Sequence, residues 1–113
     1  MRKIAVAAFF FGACSAVSAE TKPEMTETIR ARGEQVAVQY CGACHAIGKT
    51  GESANAKAPV FRTILARQPA GAIAEDLREG LLIGHKTMPR IELQPDDVDA
   101  LMTYLISIQE TES

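Results

Sequence analysis

The chain has no tryptophan, and aromatic residues make up only 5% of it. It therefore has few large rings with which to fill an interior. It shows no sustained alternation of apolar and polar residues, so it offers no strand and excludes a sheet protein. It contains no internal repeat and no low-complexity tract. No apolar run is long enough to cross a bilayer stably, since the longest reaches only from Ile4 to Gly12. Positive charge is not in excess either: 12 basic residues face 14 acidic ones. That balance excludes a nucleic-acid binder. At 113 residues the chain has room for one domain.

The N-terminus is set apart from that domain. Arg2 and Lys3 precede the apolar run, which includes Phe9, Phe10 and Phe11. Small residues follow at Ala13, Ser15, Ala16, Ser18 and Ala19. This is the layout of a secretory signal peptide over residues 1–19, with cleavage expected after Ala19. The mature domain is then residues 20–113. Cys14 offers an alternative, a lipidated cysteine after Phe11-Gly12-Ala13, although phenylalanine is a poor residue for such a signal. The expectation is that Cys14 leaves with the leader. Loss of Arg2 and Lys3 leaves ten basic residues against fourteen acidic ones, a formal charge of about −4. A partner steered by charge would present a basic face. So small a mature chain builds only a modest core, and a large flat apolar cofactor would help to fill it.

What remains reads as helix, loop, helix, loop, helix. The spacing predicts a first helix over residues 26–40, with Thr26 as N-cap and Ile29, Gly33, Val36, Ala37 and Tyr40 on one face. Glycine costs a helix about 1 kcal/mol relative to alanine, so Gly33 on the inner stripe points to another backbone passing close by. Residues 46–58 read as a surface loop, and a short helix is expected over residues 60–67. A second helix starts at Pro69, buries Ala70, Ile73, Ala74, Leu77 and Leu81, and ends at Gly80. A last helix starts at Pro95 with Asp96 and Asp97 in its first turn. Its inner stripe is Val98, Leu101, Met102 and Leu105, flanked by Tyr104 and Ile108, and Leu93 can staple onto Val98. The fold class is all-α.

Chemistry concentrates in Cys41-Gly42-Ala43-Cys44-His45, the C-x-x-C-H pattern of covalent haem attachment. Two cysteines three apart can reach the two vinyl groups on one side of a porphyrin. The histidine beside the second cysteine then lies beneath the iron. Other readings compete. A thioredoxin-like dithiol wants a βαβ context, which is absent. A zinc site needs about four ligands, and Cys41, Cys44, His45 and His85 lack a second close pair. A disulfide between Cys41 and Cys44 would add little stability. Opposite His45, the candidate second axial ligand is Met88, in an irregular segment fixed by Pro89. A thioether favours the ferrous state and raises the potential. His85 is the rival ligand, and it would give a lower potential. Met102 reads as core and Met25 as exposed. Pro59 has a candidate supporting role, since a ligand histidine usually donates its other ring N–H to a carbonyl.

On these residues the chain resembles class I cytochromes c, the small monohaem type of bacterial periplasms, over nearly all of its mature length. Gly33, eight residues before Cys41, stands where the family has its helix-crossing glycine. Val36 and Ala37 follow on the same face, with Ala37 where many relatives carry an aromatic residue. Ala58-Pro59 looks like the family's proline, whose carbonyl takes a bond from the haem histidine. Met88-Pro89 resembles its Met-Pro ligand segment, and Leu101, Tyr104 and Leu105 its last helix. The resemblance implies three to four helices wrapped around one haem c, bound covalently through Cys41 and Cys44, with iron held by His45 and Met88. It implies a periplasmic, non-enzymatic electron carrier, monomeric, with transient redox protein partners and no membrane span in the mature form. Lys49, Lys57, Lys86 and Arg90 are candidates to ring the exposed haem edge. Two alternatives stay open: a gas-binding or peroxidase-like protein with a labile sixth ligand, and an electron-accepting subunit of a periplasmic dehydrogenase.

Overall fold

The last helix lies across the first, and every other element is hung on that crossing. The computed structural model describes residues 2–13, 22–80 and 88–110. Residues 2–13 adopt no regular secondary structure and are exposed. Then come α1 (Lys22–Tyr40), a 3₁₀ helix (Phe61–Ala66), α2 (Ala70–Glu79) and α3 (Pro95–Ser107). No strand forms among the described residues, in keeping with the all-α expectation.

The crossing depends on Gly33. A Cβ built there would fall on the carbonyl oxygen of Ala100 and lie 2.8 Å from Cβ of Tyr104. The two backbones touch, as the cost of a mid-helix glycine suggested. Around this point Val36 and Ala37 of α1 pack against Val98, Leu101, Met102, Tyr104 and Leu105 of α3, all buried. Ala100 is buried as well, because its backbone is what Gly33 receives. Met102 is core, as expected. Arg32 and Asp97 pair across the two helices at 2.7 Å on the surface, a contact worth little by itself.

α1 differs from its sequence reading at both ends of its stripe. It begins at Lys22 rather than Thr26. Pro23 suits a first turn, since its missing N–H has no partner there in any helix. Thr26 is therefore not the N-cap; its hydroxyl donates back to the Lys22 carbonyl at 2.9 Å. Met25 is exposed, but on α1 itself. Ile29 and Tyr40 are 38% and 41% exposed, so the buried face narrows to Gly33, Val36 and Ala37.

α2 leans on α3 through Ile73, Ala74 and Leu77. Leu81, expected on the same stripe, lies outside the described residues. Pro69 caps the N-terminus in an extended conformation, and Gly80 ends the helix with φ of 68°, in the left-handed region. The chain comes back over that glycine: a Cβ there would lie 3.1 Å from Nε of Arg90. Glycine is favoured at this position by the sign of its backbone angle, and the Arg90 side chain lies close enough to crowd a larger residue. The short helix expected after Pro59 forms as a 3₁₀ turn with Phe61 buried.

Candidate functional site

The C-x-x-C-H segment uncoils from the end of α1. The N–H groups of Cys41 and Gly42 both reach the Ala37 carbonyl at 2.9 Å, and those of Cys44 and His45 reach the Cys41 carbonyl at 3.2 and 3.0 Å. This turn leaves the Cys41 side chain buried, the Cys44 side chain exposed and both thiols free. Gly42 has to be small for a local reason: a Cβ there would sit 3.0 Å from the Val38 carbonyl oxygen.

The loop after His45 folds back to present Pro59. Ala46 donates its N–H to the Ser53 hydroxyl at 2.9 Å. Asn55 donates to the Cys44 carbonyl at 3.1 Å and Phe61 to the Ala46 carbonyl at 2.9 Å. The Tyr104 hydroxyl reaches in from α3 and donates to the Ile47 carbonyl at 2.7 Å. So held, the Pro59 carbonyl lies 2.7 Å from Nδ1 of His45. A carbonyl oxygen can only accept, so the proton sits on Nδ1 and the lone pair is left on Nε2. The Phe61 ring closes on the imidazole with centroids 5.1 Å apart and planes inclined at 47°. Tautomer and tilt of the imidazole are both fixed.

Two adjoining hollows meet at this imidazole. An open cleft is lined by Tyr40, Cys41, Cys44, His45, Met88 and Pro89, among others. A second hollow is walled by Phe61, Ile64, Ile73, Leu77, Leu101 and Leu105, and shares Cys41, His45 and Met88 with the first. The structure thus brings together Cys41, Cys44, His45 and Met88 around one space, with Pro59 behind the histidine. These residues fit a haem on their chemistry. The walls are apolar, as a macrocycle requires. Two thiols stand at one edge, and an imidazole nitrogen and a thioether suit iron.

The same geometry argues against dithiol chemistry. Burial pushes the Cys41 thiol up to about 11, whereas a disulfide oxidoreductase needs a thiol acidic enough to ionise near neutrality. Among the described residues no group of three or more His, Cys, Asp or Glu side chains comes close enough to hold a metal ion by itself.

Of the four cations expected near the cleft, Lys57 lines it. Lys49 instead lies beside Ser107 and Gln109, and Arg90 packs over Gly80. Lys86 and the rival ligand His85 lie outside the described residues, as does Cys14. Sequence reasoning did not single out Phe61 as the imidazole's neighbour, Tyr104 as the anchor of the loop, or Gln109. Tyr104 was visible as a flank of the α3 stripe. A lone glutamine beyond a helix end carries no periodic signal.

The family described as cytochrome c oxidase, cbb3-type, subunit III matches residues 29–105. No curated protein matches the chain, and no solved structure does.

Proposed function

The chain belongs to that family of c-type cytochrome domains, and from this we propose that it is an exported monohaem carrier that passes single electrons between protein partners. The family implies haem-based electron transfer and a covalently held haem c. The observation that carries the assignment to particular residues is the His45–Pro59 bond. It leaves Nε2 as the free ring nitrogen of a side chain that shares its cleft with two free thiols and a thioether.

The roles follow from chemistry. Cys41 and Cys44 supply the sulfurs for two thioether links. His45 offers Nε2 to the iron, and the Pro59 carbonyl strengthens that donor by holding the proton on Nδ1. Met88, which lines the same space, would offer its sulfur as the second axial ligand. Phe61, Ile64, Leu77, Leu101 and Leu105 exclude water from one side of the space. Bound haem supplies a one-electron iron couple at a potential raised by the thioether. With His45 fixed by Pro59 and Phe61, that side of the site has little to rearrange when its charge changes. Cys44 is exposed, so the thioether edge is where electrons enter and leave. Contacts there would be small and brief, with Lys57 at the rim and an overall negative surface favouring a basic partner. Residues 1–19, read as a cleaved leader, support a periplasmic setting for this work. No helix among the described residues is long and apolar enough to cross a membrane.

A carrier needs both axial positions filled, whereas a gas-binding or peroxidase-like protein needs one open. Carbon monoxide mixed with the reduced, haem-loaded protein separates the two. Slow, incomplete binding together with a reversible one-electron wave is the result expected. Rapid and stoichiometric binding would overturn the carrier reading.

A further inference from the structure

The chain leaves α3 at Ile108 and immediately engages the 3₁₀ helix across the site. Nε2 of Gln109 donates to the Phe61 carbonyl at 2.6 Å and to the Leu105 carbonyl at 2.9 Å. Its Oε1 accepts the Leu65 N–H at 3.1 Å. One half-buried carboxamide thus uses both of its protons and its oxygen on backbone groups, tying the first turn of the 3₁₀ helix to the last turn of α3. Glu110 adds a second stitch, its N–H donating to the Arg62 carbonyl at 2.8 Å and its carboxylate pairing with Arg62 at 3.2 Å.

The helix held in this way begins at one of the two groups that fix the candidate proximal ligand, and the other lies just before it. Phe61 lies against the His45 ring, and Pro59, two residues earlier, accepts the His45 Nδ1 proton. We propose that Gln109 is a positioning residue for His45, setting through Phe61 and Pro59 how firmly the imidazole proton is held and therefore how strongly Nε2 donates to iron. This rests on the reading of His45 as the proximal ligand. Gln109 itself does not line the cleft's His45 wall; it acts through backbone carbonyls. Its carboxamide is specific to the task. Glutamate in its place presents oxygen to two carbonyls and has no proton for either at neutral pH. A looser His45–Pro59 bond leaves a weaker donor, which stabilises ferric iron less and moves the reduction potential upward.

The test uses the haem-loaded protein and three measurements: thermal midpoint, reduction potential, and exchange of the His45 ring N–H with water in the reduced state. Gln109→Glu is expected to raise the potential and speed the ring-proton exchange about tenfold, while the spectrum stays six-coordinate and low-spin. Glu110→Ala, which removes the neighbouring ion pair and leaves the carboxamide, is expected to leave both readings in place. A Gln109→Glu protein with a lower midpoint but unchanged potential and exchange would make Gln109 a staple only and overturn the proposal. Should that variant fail to take up haem, protection of the Leu65 N–H in the unsubstituted protein decides. Protection matching that of the His45 ring proton supports the clasp, and free exchange at Leu65 beside a protected ring proton overturns it. A ring proton that exchanges freely in the unsubstituted protein would contradict the His45–Pro59 reading itself, a different failure.

Discussion

At the scale of single residues, the account turns on a few polar atoms and one sulfur. His45 is useful because the Pro59 carbonyl accepts a hydrogen bond from its Nδ1–H at 2.7 Å; without that bond the two tautomers would compete and the Nε2–H form would present no lone pair at Nε2. Met88 is expected to show itself by a methionine–iron charge-transfer band toward the red end of the ferric spectrum. Met88→Ala should abolish that band and open the position to external ligands such as cyanide; survival of the band would mean that another methionine is the ligand, and a six-coordinate low-spin protein without the band before any substitution would point to His85. Tyr104 contributes differently. Its hydroxyl donates to the Ile47 carbonyl at 2.7 Å from a side chain that is almost wholly buried. Tyr104→Phe strands that carbonyl and should lower stability by about 1–2 kcal/mol in chemical unfolding, with the ligand spectrum unchanged. The motif, the candidate ligands and Pro59 were legible in the sequence because short spacings carry them. Phe61, Tyr104 and Gln109 were not, because they meet the site through residues 16 to 57 positions away along the chain, and such pairings leave no local pattern.

At the scale of elements, the fold is a helix crossing with a loop clasped between its arms. Gly33 is where the crossing is closest, and a larger residue there cannot be absorbed by side-chain motion, because the obstacle is the Ala100 backbone. Gly33→Val should therefore force α1 and α3 apart and destabilise the protein by about 3 kcal/mol or more, read as a lowered denaturant midpoint, with haem uptake impaired in proportion. Gly80→Ala, at φ of 68°, should cost about 1 kcal/mol and disturb the return of the chain that carries Met88. The helices themselves were readable: Pro69 and Pro95 marked two starts, Gly80 an end, and the α3 stripe its buried face. The start of α1 was misread because Thr26 looked like a cap, whereas Pro23 allows the helix to begin earlier and turns that threonine's hydroxyl inward to Lys22. Tyr40 was read as buried stripe and stands instead on the open cleft, where a helix face ends and the site begins.

At the scale of the whole molecule, composition explains why a cofactor belongs in the structure at all. Without tryptophan, and with a helix crossing packed mainly by Val, Leu and Ala side chains, the chain leaves two adjoining hollows between the end of α1, the 3₁₀ helix, α2 and α3. Hollows forfeit packing contacts, and a flat apolar group spanning them would restore those contacts. The same group would link the end of α1, through Cys41, to the segment after α2, through Met88. On the proposed reading, covalent attachment of one haem through Cys41 and Cys44 would supply the redox chemistry and complete the core. The most direct measurement is the mass of the chain, produced in a host that matures c-type cytochromes and examined under denaturing conditions. The account predicts the polypeptide plus one haem, with the Soret absorbance remaining on the unfolded protein and lost from a Cys41→Ser, Cys44→Ser double variant. A chain that weighs only its amino acids, or a haem that washes away once the protein is unfolded, would contradict it.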